Sequence, residues 1–389
     1  MTEHIARAAC SIPDAAAIAV RLVDWLPSVR RDLPWRRRRD PYAVWISEIM
    51  LQQTQVATVV PYFERWMARF PDIHVLAAAA LTDVLKAWEG LGYYARGRNL
   101  HRAAQQIVER HDGHLPADRH ALLALPGIGR YTAGAILSLA FGQPEPVLDG
   151  NARRVLCRVY DVAEDPRQTA TEKWLWTAAA ALIEAAPDGV AGDLNEALME
   201  LGALTCAPRV PDCPACPLAD LCLAHVRGVE TARPVRAPAR RSPHQDVTAG
   251  IIQDAAGRYL IVQRGPNGLL GGLWGFPGGP VAAGESPTAG LVRAVRAQVG
   301  IDVAIGEPVA QIKHAYTHFR ITLHAYACRL IADDSRPRPL PQPEPQPEPQ
   351  PEPQPLTCAD VRWVTPAELT AYPFPVTDQR VWQAWTGRR

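Results

Sequence analysis

Four of the chain's eight cysteines, Cys206, Cys213, Cys216 and Cys222, stand within one short stretch in the pattern C-x6-C-x2-C-x5-C. Thiols gathered so closely favour an iron–sulfur cluster or zinc over disulfides, because a metal can bind all of them at once. Structural zinc more often takes two close pairs separated by a longer segment. Here three unequal gaps, threaded by Pro208, Pro211, Pro214 and Pro217, suit a [4Fe-4S] cube, with zinc and uncoordinated thiols as the alternatives. The remaining cysteines (Cys10, Cys157, Cys328 and Cys358) are scattered. No apolar run approaches the ~18 residues of a membrane span, and the N-terminus carries no charged-then-apolar leader. A cytoplasmic, reducing location without membrane contact is therefore expected.

At 389 residues the chain exceeds what a single core usually supports. Its texture changes once. From residue 14 to about 226 the apolar residues recur at helical spacing, as in Ile18, Leu22, Trp25 and Leu26, or Val84, Leu85, Trp88 and Leu91. Pro34, Pro41, Pro61 and the Pro71-Asp72 pair punctuate this region as helix starts. Residues 227–245 read as a linker, with five arginines (Arg227, Arg233, Arg236, Arg240, Arg241) among three prolines and few large apolar side chains. Beyond it the pattern turns strand-like. Val247–Ile252 and Tyr259–Gln263 flank Asp254–Gly257 as a hairpin, Thr288–Gln298 is an amphipathic helix, and Ile321–Ile331 and Val361–Val364 are later strands. Proline at nearly every second position over Arg336–Pro355 forbids ladder hydrogen bonds and marks an extended loop inserted in this part. The expected architecture is thus multidomain: an all-α domain over 1–226, the linker 227–245, and an α+β domain over 246–389 with the insertion 336–355.

Three motifs in the helical part suggest chemistry. Leu125-Pro-Gly127-Ile-Gly129-Arg130-Tyr131 places two glycines in a tight turn before an alanine-rich helix, whose first amides can meet an anion. Glu48 lies in the helical run Trp45–Gln55 between Ile46, Ile49 and Met50. A carboxyl desolvated there would have a raised pKa suited to a general acid. Asp149 stands ahead of Ala152–Val159, as a helix cap or as a second functional carboxylate.

Together, the turn, the downstream Asp149 and the cysteine loop resemble the endonuclease III superfamily of DNA glycosylases. Within it, Glu48 in SEIMLQQTQV, the segment Leu91–Asn99, Leu148–Asn151 and Asn195–Gly202 are similar to the MutY-type adenine DNA glycosylases. The resemblance implies an all-α helix-hairpin-helix domain (the hairpin at 122–140, the iron–sulfur loop at 206–222) that acts as a monomer on double-stranded DNA, nucleoid-associated in the cytoplasm. It implies removal of adenine mispaired with 8-oxoguanine or guanine. Catalysis falls to Glu48 as proton donor and Asp149 as stabilising carboxylate, oriented by Tyr131 and Asn151. Trp35, Arg36, Leu51 and Glu196 would line the base pocket, Gln53 and Tyr93 would wedge into the emptied stack, and Leu125, Gly127 and Gly129 would meet the backbone. Strand-cutting members carry a lysine in the hairpin. Here the position is Tyr131, and the chain's only lysines, Lys86, Lys173 and Lys313, lie elsewhere, which favours base removal alone over a pyrimidine glycosylase with lyase activity or a silent DNA-binding protein.

The C-terminal part resembles a Nudix (MutT-like) domain in Gly271–Gly279 and the helix after it. Gly279, Glu285, Arg293, Gly300 and Ile301 match the pyrophosphatase motif, but Ala294, Ala297 and Gln298 replace its metal-binding glutamates, so hydrolysis of nucleotides is not expected. In adenine glycosylases such a domain reads 8-oxoguanine through a Phe-Ser-His loop; here the loop is Tyr316-Thr317-His318. Net charge is only +1, so any grip on DNA must be local. Candidates are the hairpin amides, the linker, and Arg30–Arg39 with its six arginines.

Overall fold

The computed structural model describes residues 12–37, 39–235, 242–331 and 352–388. Most of the proline-rich insertion, the middle of the linker, Cys10 and Arg38 therefore lie outside the described residues. The chain divides into two compact units, Met1–Ala78 with Asn99–Ala239 and Ala79–Arg98 with Arg240–Arg389. Among the described residues no helix is long and apolar enough to cross a membrane.

The first unit is helical: α1 (Ala15–Val29), a 3-10 turn (Pro34–Arg36), α2 (Pro41–Leu51), α3 (Val56–Arg69) and α4 (Ile73–Ala78). After the excursion through α5 (Leu81–Ala87) and the start of α6 (Ala95–His111), it continues as α7 (Arg119–Leu123), α8 (Arg130–Phe141), α9 (Gly150–Val159), α10 (Thr169–Ala185), α11 (Ala191–Glu200) and α12 (Leu223–Val226). Local chemistry sets the starts. Asp40 caps α2 by accepting from Ala43 N with Pro41 in the first turn, and Asp118 and Asp149 cap α7 and α9 in the same way. Pro61 departs from expectation: it lies inside α3, in the second turn rather than at the start. The core draws Ile18, Leu22 and Leu26 from α1 against Val155, Leu156, Leu175, Leu182 and Leu194. In α2 every residue from Tyr42 to Met50 is buried, as befits a helix apolar on all sides. Its one ionisable carboxyl, Glu48, is buried with it.

The second unit holds β1 (His244–Ile252), β2 (Tyr259–Gln263), β3 (Trp274–Gly275), α13 (Pro287–Val299), β4 (Val303–Ala315), β5 (Arg320–Leu330), β6 (Asp360–Val364), α14 (Pro366–Leu369) and α15 (Val376–Thr386). Two three-stranded sheets run β1-β5-β4 and β3-β2-β6. The expected β1–β2 hairpin is corrected by this topology. Asp254–Gly257 does form the turn, but beyond the single bridge Gln253–Tyr259 the strands part, β1 running parallel to β5 and β2 pairing with β3 and β6. Alternation explains the split: Ala249 and Ile251 enter a core with Ile261, Trp274 and Phe374, while Ile252 faces Leu291 and Val295 of α13.

Residues 79–98 fall with this unit, whereas the sequence reading kept them in the helical domain. Specific bonds account for it: Lys86 Nζ donates to Tyr372 O (3.1 Å), Phe374 N donates to Glu89 Oε1 (2.7 Å), and Arg98 Nη1 donates to Gly271 O (2.7 Å).

Candidate functional site

In the first unit one cavity of about 670 Å³ is lined by Glu48, Tyr131, Asp149, Asn151, Trp35, Arg36, Leu51, Gln53 and Glu196. These nine positions, drawn from segments far apart in the sequence, are ones the sequence singled out, Gln53 as a wedge and the others as catalytic or pocket residues. Glu48 is 4% exposed. Burial pushes its carboxyl up to about 7, opposed by the hydrogen bond from Tyr131 and by Arg36, and reinforced by nearby Asp149. Tyr131 Oη donates to Glu48 Oε2 (2.5 Å) and also reaches Met199 Sδ (3.4 Å). Burial and the facing carboxylates hold the phenol well above its usual range, so it remains a neutral donor. Asp149 takes the cap position and also lies at the cavity. It caps α9, accepting from Ala152 N at 2.6 Å, and its carboxyl lines the cavity. Burial raises its pKa, while the amides of Ala152 and Asn151, Arg154 and the Asn151 side chain favour the ionised form. Asn151 is itself fixed by Arg154 Nη2 on Oδ1 at 2.8 Å. Gln53 has φ 58, a left-handed conformation costly for a side-chain-bearing residue.

The arginines flanking the cavity are not free. Arg30 pairs with Glu196 and Asp193 (3.1 Å), Arg31 with Glu200 (2.8 Å), Arg36 with Glu196 (2.9 Å) and Glu200, Arg37 with Asp32 (2.9 Å), and Arg39 with Asp193. Glu196 and Glu200 are almost fully buried on α11. A buried carboxylate without its cation would carry the full desolvation penalty, so these pairs are fixed parts of the unit. The described arginines of the Arg30–Arg39 segment, expected to offer charge to DNA, are paired within the protein.

The hairpin turn lies between α7 and α8. Gly127 has φ +81, and a Cβ there would come within 2.8 Å of Asn99 Cβ, so glycine is required by the chain itself. Gly129 differs: no atom lies within 4 Å of the place its Cβ would occupy. Leu125 is buried and holds the turn to the core.

Cys206, Cys213, Cys216 and Cys222 line one hollow, together with Arg158, His225 and Glu230. Arg158, 1% exposed, donates to the carbonyls of Cys206, Ala207 and Pro208 and to Cys206 Sγ (3.1 Å), tying the loop to α9. Burial pushes the Cys216 thiol up to about 11. Cys213, His225 and Glu230 also present ligand atoms within 4.8 Å of one another.

In the second unit the positions that match the Nudix motif have structural partners. Glu285 is bound by Arg293 (2.7 Å) and by Ala282 N (2.9 Å), which hold its carboxyl down to about 2. Gln298 Oε1 accepts from Gly278 N (2.9 Å) where the motif would need a metal ligand. Tyr316, Thr317 and His318 form the tip between β4 and β5; Tyr316 is half-buried, Thr317 and His318 exposed. Tyr93, at φ 46 and 46% exposed, hydrogen-bonds Thr317 through its phenol.

Residues 46–180 match the model of the HhH-GPD superfamily base excision DNA repair proteins, and 248–384 match the NUDIX domain. The adenine DNA glycosylase of Mus musculus is 37% identical over 372 residues, covering 82% of this chain and 72% of that protein. The chain belongs to the adenine DNA glycosylase family. The human adenine DNA glycosylase is 36% identical over 374 residues, covering 82% of this chain and 68% of that protein. Among solved structures a thermostable thymine-DNA glycosylase is similar, with a TM-score of 0.51 and 29% identity, covering 55% of this chain and 97% of that one.

Sequence reasoning left out one residue that shapes this adenine glycosylase-family cavity. Asn195, 3% exposed on α11, donates to Ser138 Oγ and Glu145 O (both 2.8 Å) and accepts from Val147 N (3.3 Å), tethering the segment that leads to Asp149. The motif Asn195–Gly202 flagged it, but its partners lie about 50 residues away in sequence, where local pattern carries no signal. No lysine lines the cavity: Lys173 and Lys313 are exposed, and Lys86 pairs with Glu89 (2.7 Å).

Proposed function

We propose that this chain is a monofunctional adenine DNA glycosylase that hydrolyses the N-glycosidic bond of adenine mispaired with 8-oxoguanine or guanine, acting as a monomer on duplex DNA. The observation that carries the reading is the buried Glu48 carboxyl, poised to be protonated near neutrality and facing a second carboxylate across one cavity. Tyr131 occupies Oε2, which leaves Oε1 to carry the proton. Glu48 would hand it to N7 of the extruded adenine, making the base a better leaving group. Asp149, kept ionised by its cap bonds, would stabilise the oxocarbenium-like sugar, and Glu48 would then take a proton from the attacking water. Gln53 and Tyr93 would wedge into the emptied stack, and the left-handed backbone at both suits residues held ready to insert. The absence of a cavity lysine speaks against a Schiff-base lyase. Gly129, open on its Cβ side, suits close approach of a phosphate to the first amides of α8.

The cysteine hollow fits a four-iron, four-sulfur cluster, with Cys206, Cys213, Cys216 and Cys222 as thiolate ligands and Arg158 holding Cys206. The cluster would supply a structural staple for this loop rather than a step of the hydrolysis.

Duplexes carrying adenine opposite 8-oxoguanine, guanine, cytosine and thymine, treated with alkali after incubation, test the activity. Fastest cleavage opposite 8-oxoguanine, and no strand break before alkali, is expected; equal cleavage opposite thymine would sink the reading. A break without alkali, or borohydride trapping of a covalent adduct, would point to the lyase instead. Purified protein should absorb near ~400 nm with about four irons per chain; one zinc would replace the cluster.

A further inference from the structure

The loop that carries Tyr93 is held by its own neighbours in the second unit. Between α5 and α6 the backbone turns through Gly92 (φ 71) and Tyr93 (φ 46), the latter a left-handed conformation costly for a residue with a side chain. Two donors meet the peptide just before Tyr93. Trp88 Nε1 donates to Gly92 O (3.0 Å), and Arg96 Nη2 donates to Leu91 O (3.1 Å) and Gly92 O (3.4 Å). Just after Tyr93 the turn is closed by Arg96 N, which donates to Tyr93 O (2.8 Å). Arg96 thus holds the chain on both sides of Tyr93.

The rings repeat this arrangement. The guanidinium carbon of Arg96 lies 5.3 Å from the centroid of the Trp88 ring and 5.5 Å from that of Tyr93, within cation–π range of both. Trp88 is fully buried. Gly97 lets its indole lie against the first turn of α6, since a Cβ there would stand only 3.2 Å from both Cγ and Cδ2. Burial pushes the Arg96 guanidinium down to about 10, with Tyr93 opposing, so the cation persists at neutral pH. The Tyr93 ring keeps 46% of its surface exposed. Arg96 therefore links a ring fixed in the core to a ring at the surface. Only a planar fork can stack on rings and bond two carbonyls at once; a lysine ammonium offers a point charge instead.

We infer that Arg96 is a positioning residue for base extrusion: packed against Trp88 and bonded to the carbonyls of Leu91 and Gly92, it holds Tyr93 in its left-handed conformation with the ring presented for stacking in duplex DNA. The use of Tyr93 as a wedge rests on the proposed function, whereas the grip of Arg96 on the loop does not.

The test uses the full chain with Arg96→Met, which keeps an apolar stem, Arg96→Lys, which keeps the charge, and Tyr93→Ala as the reference for a lost wedge. Amide hydrogen exchange over 92–96 in the free protein reads the grip. The fluorescence rise of 2-aminopurine placed opposite 8-oxoguanine in a bound duplex reads extrusion, which a merely structural role would leave unchanged. Arg96→Met should speed exchange at least about threefold and cut the fluorescence rise by about half or more. Arg96→Lys should fall between it and the wild type, and carries the comparison if Arg96→Met does not fold. Unchanged exchange overturns the grip. Faster exchange with an undiminished fluorescence rise overturns its role in extrusion. If Tyr93→Ala gives the same rise as the wild type, the wedge itself falls, and exchange alone still decides the grip.

Discussion

Glu48 shows how one side chain couples stability to chemistry. Its folded pKa of about 7 stands above the ordinary 4.5, so the folded state holds a proton that the unfolded chain releases between those values. Stability contributed by this group is therefore intact below about pH 4.5 and lost as pH rises towards 7, by on the order of 3 kcal/mol. Glu48→Gln removes that penalty. The variant should melt higher than wild type near ~pH 8, with the difference shrinking by about pH 5, while excision falls at least ~10³-fold. A variant that excises normally would remove Glu48 from the mechanism. Tyr131→Phe tests the partner. The lost hydrogen bond is one that lowers the Glu48 pKa, so the alkaline limb of the pH–rate profile should move upward. A limb that stays in place would mean that Glu48 is not the group titrating there.

At the scale of elements, glycines decide where Asp149 sits. A Cβ on Gly134 of α8 would lie 2.4 Å from Pro146 O, and one on Gly202 would lie 2.5 Å from Asn151 Cβ. Both contacts bring backbone against the segment carrying Asp149. Gly134→Ala should cost ~1–3 kcal/mol in thermal or denaturant unfolding and depress excision, because the segment must move away. Gly129→Ala should leave stability within about 0.5 kcal/mol and weaken duplex binding, measured by fluorescence anisotropy; unaltered binding would remove α8 from the DNA contact. The sequence made the helical cavity legible because its helices are amphipathic or wholly apolar and their caps are Asp40, Asp118 and Asp149. It misled at Asp254–Gly257, where a true turn joins strands of different sheets, since pairing is chosen by distant β5 and β6. The long β4 escaped notice because its burial alternates poorly around the irregular register at Pro308. The bonds of Asn195 were hidden because its partners are far away in sequence.

Across the whole chain, 41 basic and 40 acidic side chains leave a net charge of +1. The total conceals how the charges are arranged. Asp193, Glu196 and Glu200 form one face of α11 and engage Arg30, Arg31, Arg36 and Arg39. Arginines so held would release few counterions on meeting a phosphate, which would limit affinity for undamaged duplex. Binding to undamaged duplex should thus weaken only shallowly with salt, with a log–log slope of about 3 or less rather than the ~5 that a free arginine segment would give. Asp193 is the accessible point of control, being about one-third exposed and shared by Arg30 and Arg39. Asp193→Asn should free positive charge, tighten binding to undamaged duplex and steepen the slope by about one unit. Titrations of a labelled duplex at several salt concentrations measure both effects. An unchanged slope would mean that these arginines never reach a phosphate, and would leave the grip to the amides of the hairpin.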